Sequence, residues 1–117
     1  MWEIALYETP SGTCPAADFI AALDAKAQAK IARAIDLLEE CGPALGMPHV
    51  KPLPDTGGLR ELRVPFGGQA YRLLFFADGN SLVLAHGFIK KAQKLPRKEI
   101  EIAMSRMKDY LQRRNPR

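Results

Sequence analysis

The sequence predicts a small α+β protein in which an antiparallel sheet carries helices before and after it. Three observations favour this class: a helical period near the amino terminus, three short apolar runs separated by turn residues, and a second helical period near the carboxyl terminus. Helices collected on either side of a run of strands are typical of α+β proteins rather than doubly wound parallel sheets. The chain has 117 residues, so we expect residues 1–117 to form a single domain.

The first predicted elements are a strand and a helical pair. "WEIALYE" alternates well enough, with aromatic and β-branched residues, to form a strand. A helical period follows, for which Pro15 suits the first position. Gly42 and Pro43 form a stop signal, because glycine accepts a left-handed cap and proline cannot continue a helix. A break at Asp24, which can cap a second helix, divides the region into a helical hairpin.

The second half is predicted to be a meander followed by a helix. "PALGMPHVKPLPDTGG" has the Pro and Gly density of a loop. The strands "LRELRV", "QAYRLLFF" and "SLVLAHGF" are separated by the turn signals "PFGG" and "ADGN". Pro96 opens a helix whose apolar stripe includes Ile100, Met107 and Leu111, and the tail "RRNPR" is expected to fray. The predicted order is β-α-α-β-β-β-α.

Composition favours a cytoplasmic protein without a membrane partner. No apolar run approaches the roughly 20 residues that span a bilayer, and "MWEIALYETP" carries acids where a signal peptide has basic residues.

Cys14 and Cys41 lie 27 positions apart without a CxxC motif or a neighbouring histidine. We therefore expect two buried or half-buried free thiols, and neither a zinc site nor a redox pair.

Charge is distributed unevenly along the chain, whose net charge is +4. Residues 86–117 hold ten Lys and Arg against three acids, which leaves seven of the seventeen cations and ten of the thirteen acids for residues 1–85. A basic carboxyl-terminal part suits a polyanionic partner, since phosphate contacts supply most non-specific affinity for nucleic acids. A solvated basic helix would show the same pattern.

Signatures of the common hydrolases and phosphotransferases are missing from the sequence. It contains no GxSxG, HExxH or GxxxxGK[ST], and the acids are too scattered for a metal cluster or a carboxylate dyad. We therefore expect neither a protease, a kinase nor a metal-dependent nuclease, and no metal or cofactor.

Arginines occur inside strands that are otherwise apolar. Period-two alternation puts Glu61 and Arg63 on one face, opposite Arg60, and puts Arg72 on a face with Leu74. An arginine at position 72 must either pair with an acid, for which Glu61 is the nearest candidate, or open onto a pocket.

His86 ends a predicted strand just before Lys90, Lys91 and Lys94. Like charge from these lysines should lower its pKa and suit it to act as a general base near neutral pH, although a lone histidine is more often structural. Cleavage of RNA without a metal needs a base for the 2′-hydroxyl, an acid for the leaving 5′-oxygen and donors for the phosphate. Arginine and lysine side chains with a neutral histidine can supply all three.

The run "GGLRELRVPFGGQAYRLLFFADGNSLVLAHGFIKKAQKLPRKEIEIA" resembles the phage-derived, HigB-like branch of the RelE/ParE toxin superfamily, and nearly the whole chain matches in order. Members of that branch share a "WELR" strand, a "YRxxY/F" strand and "LLHGFxKKTxKTPxxEIExA". This chain has Arg60 where the family usually has an aromatic residue, and Ala92 and Leu95 replace the two threonines. The resemblance implies a RelE-like fold and the toxin of a type II toxin-antitoxin system. It also implies a helix-turn-helix antitoxin as partner, and an endoribonuclease that cleaves mRNA on the ribosome, thereby inhibiting translation, without a metal.

The resemblance also implies roles for particular residues. Arg63 and Arg72 match the arginines of the "ELR" and "YR" motifs, and the "KKxxK" lysines are Lys90, Lys91 and Lys94. With His86 from the residue argument above, the predicted catalytic set is Arg63, Arg72, Lys90, Lys94 and His86. The predicted RNA-binding set is Lys51, Arg60, Lys91, Arg97 and Lys98.

Two other functions remain open for the same fold. One is a ParE-like inhibitor of DNA gyrase, although ParE-type chains generally lack the basic motif found here. The other is a non-catalytic module that binds nucleic acid or an antitoxin, for which an apolar strip on the first helices would serve as the antitoxin groove.

Overall fold

A five-stranded mixed sheet forms the centre of the protein, with strand order β1-β5-β4-β3-β2. The computed structural model describes residues 1–114. Its elements are β1 (Glu3–Leu6), α1 (Pro15–Ala21), α2 (Ala25–Cys41), a 3-10 helix (Gly42–Ala44), β2 (Val50–Pro52), β3 (Arg60–Phe66), β4 (Gln69–Asp78), β5 (Ser81–Ile89) and α3 (Arg97–Arg114). The α+β class is confirmed.

Two features of the sheet differ from the prediction. β1 pairs with β5 in parallel, so the sheet is mixed and not wholly antiparallel. β2 lies inside the segment predicted as a loop, where it pairs antiparallel with β3. It has only three residues and ends at Pro52, which an edge strand tolerates because one side of its backbone needs no ladder hydrogen bond.

The helical hairpin forms where the sequence predicts it. Pro15 is the first residue of α1, and Asp24 caps α2 by accepting a hydrogen bond from the Ala27 amide at 2.8 Å. Gly42 ends α2 with φ of +63°, and a Cβ at this position would lie 2.1 Å from the Trp2 indole nitrogen. Gly42 is therefore required both for its backbone conformation and for the close approach of Trp2.

Loss of the Asp24 cap should weaken the hairpin. The Asp24→Ala variant is expected to lose about 1 kcal/mol of unfolding free energy, because the amide of Ala27 would lose its partner. Urea denaturation measures this loss, and Asp36→Ala, an exposed position within the same helix, is the matched control. Equal losses in both variants would show that the cap contributes nothing.

Both faces of the sheet are covered, which explains the continuous apolar run in β4. Leu73 and Phe75 pack in a core with α1 and α2, whereas Leu74 and Phe76 pack in a second core with α3. Strands buried on both faces lose the alternation of apolar and polar residues.

The β3–β4 hairpin closes through Gly67 and Gly68, both with positive φ, as a two-residue hairpin turn requires.

The carboxyl-terminal helix begins at Arg97, one residue after the predicted start at Pro96. Its predicted apolar stripe packs on the sheet, with Met107 buried. Arg113 and Arg114 are helical, and Arg114 pairs with Asp78 at 2.9 Å, so the expected fraying is wrong for these two residues. The rest of the predicted frayed tail, residues 115–117, lies outside the described residues.

Two smaller expectations concern cysteines and membranes. Cys14 is half-buried and Cys41 is exposed, so the expectation of burial fails for Cys41; both thiols are free. Over residues 1–114, none of the helices combines the length and the apolar character needed to cross a bilayer.

Candidate functional site

Arg72 lies at the centre of the candidate site as one half of a buried ion pair. It is 6% exposed, and its Nε lies 2.8 Å from Oε2 of Glu61, which is 4% exposed. The two atoms lack the geometry of a hydrogen bond, so the contact is Coulombic. Antiparallel register explains the pairing: Arg72 stands opposite Arg63 and Leu74 opposite Glu61, so Glu61 reaches Arg72 diagonally on one face.

The Arg72 guanidinium is only partly used by the protein. Nη1 donates to the Tyr71 carbonyl at 3.1 Å. An arginine carries five N–H donors; the hydrogen bond to Tyr71 uses one of them, and the Nε donor lies in the ion pair with Glu61. The remaining three make no hydrogen bond to any residue in the range 1–114. Glu61 therefore fixes the position of Arg72, and three N–H donors of the Arg72 guanidinium remain available to bind an anion.

A recess of about 350 Å³ opens beside Arg72. Its lining includes Lys90 and Lys91, which follow β5 directly, and Ala70 at the start of β4. The pairing of Tyr71 with Ile89 brings these chain ends together, and the Lys90 amide donates to the Ala70 carbonyl at 2.8 Å. Three cations therefore share one opening.

Arg63 joins the same surface through a second, smaller recess. Arg63 and Arg72 line a depression of about 160 Å³ together with Pro48 and Pro65. No acidic side chain lines either recess within the described part of the chain, and Glu61, the acidic partner of Arg72, is buried. The four cations Arg63, Arg72, Lys90 and Lys91 thus form a cationic surface suited to a phosphate-bearing ligand.

The other predicted RNA-binding residues are spread more widely. Lys94 is exposed in the loop before α3, and Arg97 and Lys98 are exposed in its first turn, where Arg97 pairs with Glu101. Lys51 is exposed on the edge strand opposite Glu61 and shares its face. Arg60 stands opposite Phe75, on the sheet face away from Arg72, as the alternation predicted.

His86 is engaged by α3 and does not line the recess beside Arg72. Its Nε2 lies 2.6 Å from Oε1 of Glu99, and its Nδ1 lies 3.0 Å from Nη1 of Arg106. Because a guanidinium can only donate, Nδ1 must be the acceptor and Nε2 must carry the proton of the neutral ring. Both ring nitrogens are therefore occupied.

The pKa of His86 is lowered, in the predicted direction but for a different reason. Burial of the ring is the main cause, and the charge of Arg106 adds to it, while Glu99 acts in the opposite direction. The prediction attributed the lowered pKa to the lysines at positions 90, 91 and 94. That cause was wrong, because the charges that act on the ring belong to α3.

This lowered pKa makes folding sensitive to acid. The unfolded chain binds a proton at His86 near pH 6.5, whereas the folded protein resists protonation below that pH. The stability contribution is therefore present above about pH 6.5 and is lost as the pH falls towards the folded pKa. Urea denaturation between pH 7.5 and 5 is expected to show this loss in the wild type and a smaller one in His86→Gln. The exposed His49→Gln variant is the control, and equal pH dependence in all three proteins would contradict the assignment.

The His86 contacts depend on a β-bulge that the sequence analysis missed. Leu74 pairs with His86 and Phe75 pairs with Leu84, so Ala85 is an extra residue in β5. A bulge re-aims the residues beside it, and the Ala85 carbonyl accepts a hydrogen bond from Arg106 at 3.0 Å. The seven-residue spacing of Glu99 and Arg106, two helical turns, was the one available signal that both face the same strand.

Residues 18–108 match the family described as "Phage derived protein Gp49-like (DUF891)". The chain belongs to this Gp49-like family. Gp49-like proteins are RelE/ParE-like toxins, so the superfamily predicted from the motifs is confirmed. The matched region contains Glu61 and all four residues of the cationic surface.

No curated protein matches the sequence of this Gp49-like protein. In the range 1–114, no three or more His, Cys, Asp or Glu side chains form a group that could hold a metal ion.

Proposed function

We propose that this protein is the toxin of a type II toxin-antitoxin system, of the HigB-like branch, and that it cleaves mRNA on the ribosome without a metal. The observation that carries the proposal is the placement of Arg72. Its guanidinium is buried, fixed by Glu61 and left with free donors beside Lys90 and Lys91. Such preorganised donors stabilise the charge that develops on a phosphate in a transition state.

The proposed reaction is an internal transesterification of RNA. The 2′-oxygen attacks the adjacent phosphorus, the bond from phosphorus to the 5′-oxygen breaks, and a 2′,3′-cyclic phosphate and a 5′-hydroxyl are formed. Arg72 and Arg63 hold the phosphate oxygens, because guanidinium groups bind phosphate through paired N–H donors. Lys90 and Lys94 bind the RNA and take part in moving the proton from the 2′-hydroxyl to the leaving 5′-oxygen.

His86 receives a different role from the one that the sequence suggested. Its acceptor nitrogen is occupied by Arg106, so the ring would have to break that contact before it could act as a base. We propose that His86 positions the end of β5, from which Lys90 and Lys91 follow, against α3. The proposed partners are a helix-turn-helix antitoxin and mRNA on the ribosome, and the proposed compartment is the cytoplasm.

Mapping of RNA 5′ ends tests this function. Purified protein, stripped with a chelator and then desalted, is incubated with an mRNA in the presence and in the absence of programmed ribosomes. New ends that appear only with ribosomes support the proposal. No new ends in either reaction, together with loss of gyrase supercoiling activity when the protein is added, would favour a gyrase inhibitor. RNA binding with a steep salt dependence and without cleavage would favour a non-catalytic module.

A further inference from the structure

A third recess, of about 440 Å³, adjoins the cationic surface at Arg63. Its lining also includes His49, which precedes β2, and Val64 and Pro65 of β3. It shares Arg63 and Pro65 with the smaller depression that contains Arg72. The recess beside Arg72, the depression between the two arginines and this third recess are therefore continuous.

His49, Arg63 and Arg72 lie in one row across three neighbouring segments of the chain. Arg63 stands opposite Arg72 in the ladder of β3 and β4. The antiparallel pairing of β2 with β3 places His49 opposite Arg63, and the Arg63 amide donates to the His49 carbonyl at 2.8 Å. Neighbouring strands lie ~4.8 Å apart, so the backbone of His49 is ~10 Å from that of Arg72. A phosphate at Arg72 and a base at His49 are thus close enough to belong to one short stretch of RNA.

The His49 ring is free to contact a ligand, unlike the ring of His86. His49 is exposed, and its ring makes no hydrogen bond or ion pair with any of residues 1–114. Both ring nitrogens of His86, by contrast, are occupied by side chains of α3. An unpartnered aromatic ring at the edge of a recess offers a face on which a nucleobase can stack.

Apolar and cationic side chains are mixed around this third recess. Met47 is 62% exposed, and its sulfur lies 3.8 Å from Nη1 of Arg63. Val64 adds apolar surface, and Lys30 and Arg33 of α2 add positive charge. No acidic side chain of the described chain lines the recess. A ligand that complements it therefore combines negative charge with a flat apolar face, as a nucleotide does.

We propose that the third recess binds the base of an RNA nucleotide close to the phosphate that Arg72 holds, and that the His49 ring stacks on this base. We call the recess the base site. Its volume lies within the range of about 300–1,000 Å³ that is usual for small-ligand sites. Stacking tolerates every base, so His49 contributes affinity and position rather than codon preference. The phosphate at Arg72 rests on the proposed function, whereas nucleotide binding in the base site does not.

The test measures stacking directly, with short RNAs that cannot be cleaved. Trinucleotides with 2′-O-methyl groups, either complete or lacking the base at one position in turn, are titrated into the wild-type protein and followed by NMR. The signals of the histidine ring protons are the readout, because a base stacked on the ring shifts them upfield. The chain has two histidines, so His86 serves as the internal reference. The affinities of His49→Ala and His49→Phe are measured in the same way.

We expect the complete trinucleotide to shift the His49 ring signals upfield and to leave those of His86 in place. Omission of one particular base should abolish the shift and weaken binding at least about fivefold, and His49→Ala should weaken binding of the complete trinucleotide equally. His49→Phe, which keeps a stacking face, should restore most of the lost affinity. Unshifted His49 signals, equal affinity for complete and abasic trinucleotides, or no recovery in His49→Phe would overturn the proposal.

Cleavage of mRNA on programmed ribosomes is measured with the same wild-type protein, so that the base site and the proposed function are tested separately. Stacking without cleavage would support the base site and contradict the proposed endonuclease. Cleavage without stacking would overturn the base site alone.

Discussion

Replacement of Arg72 by methionine is expected to reduce RNA cleavage at least about 100-fold, because removal of one preorganised donor from a reacting oxyanion has an effect of this size. Arg72 is the buried cation of the recess, which Lys90 and Ala70 also line. The measurement is the single-turnover rate of mRNA cleavage on programmed ribosomes. Growth inhibition by the expressed protein should be lost in parallel.

Two control variants show whether the lost cleavage is due to the missing N–H donors of Arg72 or to the loss of a positive charge. Arg114→Met removes an ion-paired arginine at the far end of α3, where Arg114 contacts Asp78, and should cleave normally. Arg72→Lys keeps the charge but loses the paired N–H donors, so an intermediate rate is expected. Normal cleavage by a folded Arg72→Met protein would remove Arg72 from the mechanism.

Loss of either partner of the buried ion pair is expected to destabilise the folded protein strongly. Glu61→Leu is expected to lose about 3–5 kcal/mol of unfolding free energy, because Arg72 would stay buried without its counter-charge. Arg72→Met should lose a similar amount, since Glu61 would then be the uncompensated charge. Both losses are large beside the total of about 5–15 kcal/mol that is usual for a small domain.

The double variant Glu61→Leu with Arg72→Met should recover most of this stability. A buried ion pair can be replaced by apolar residues of similar volume with little net loss, so the two substitutions should be strongly non-additive. Urea denaturation of both single variants, the double variant and the wild type measures the coupling. Additive losses would show that the two charges do not stabilise each other. The double variant also supplies a stable protein without Arg72 for the cleavage assay.

Local signals in the sequence predicted much of the fold. Asp24 and Gly42 mark helix ends through their own backbone and side-chain chemistry, and each acts within a few residues of its position. The pair of Arg72 and Glu61 was one of two outcomes that the alternation left open, and the register of the short β3–β4 hairpin places both on one face. In each case the residues that determine the structural feature lie within a short stretch of the chain.

Features that depend on distant contacts were not predictable in the same way. The parallel pairing of β1 with β5 joins segments about 80 residues apart, as in the pair Ile4 and Leu82. The bulge at Ala85 leaves no mark in composition, yet it turns His86 towards Glu99 and Arg106. The role first given to His86 came from its sequence neighbours, whereas its actual neighbours are supplied by the docking of α3.

The most direct test of the central claim compares two mRNAs that differ in one atom. On programmed ribosomes, the protein is given an mRNA with ribose at the cleaved position and one with 2′-deoxyribose there. The account predicts that only the first is cleaved, to a 2′,3′-cyclic phosphate and a 5′-hydroxyl, and that the double variant at Glu61 and Arg72 cleaves neither. Cleavage of the 2′-deoxy mRNA, or no cleavage of either mRNA by the folded wild-type protein, would contradict it.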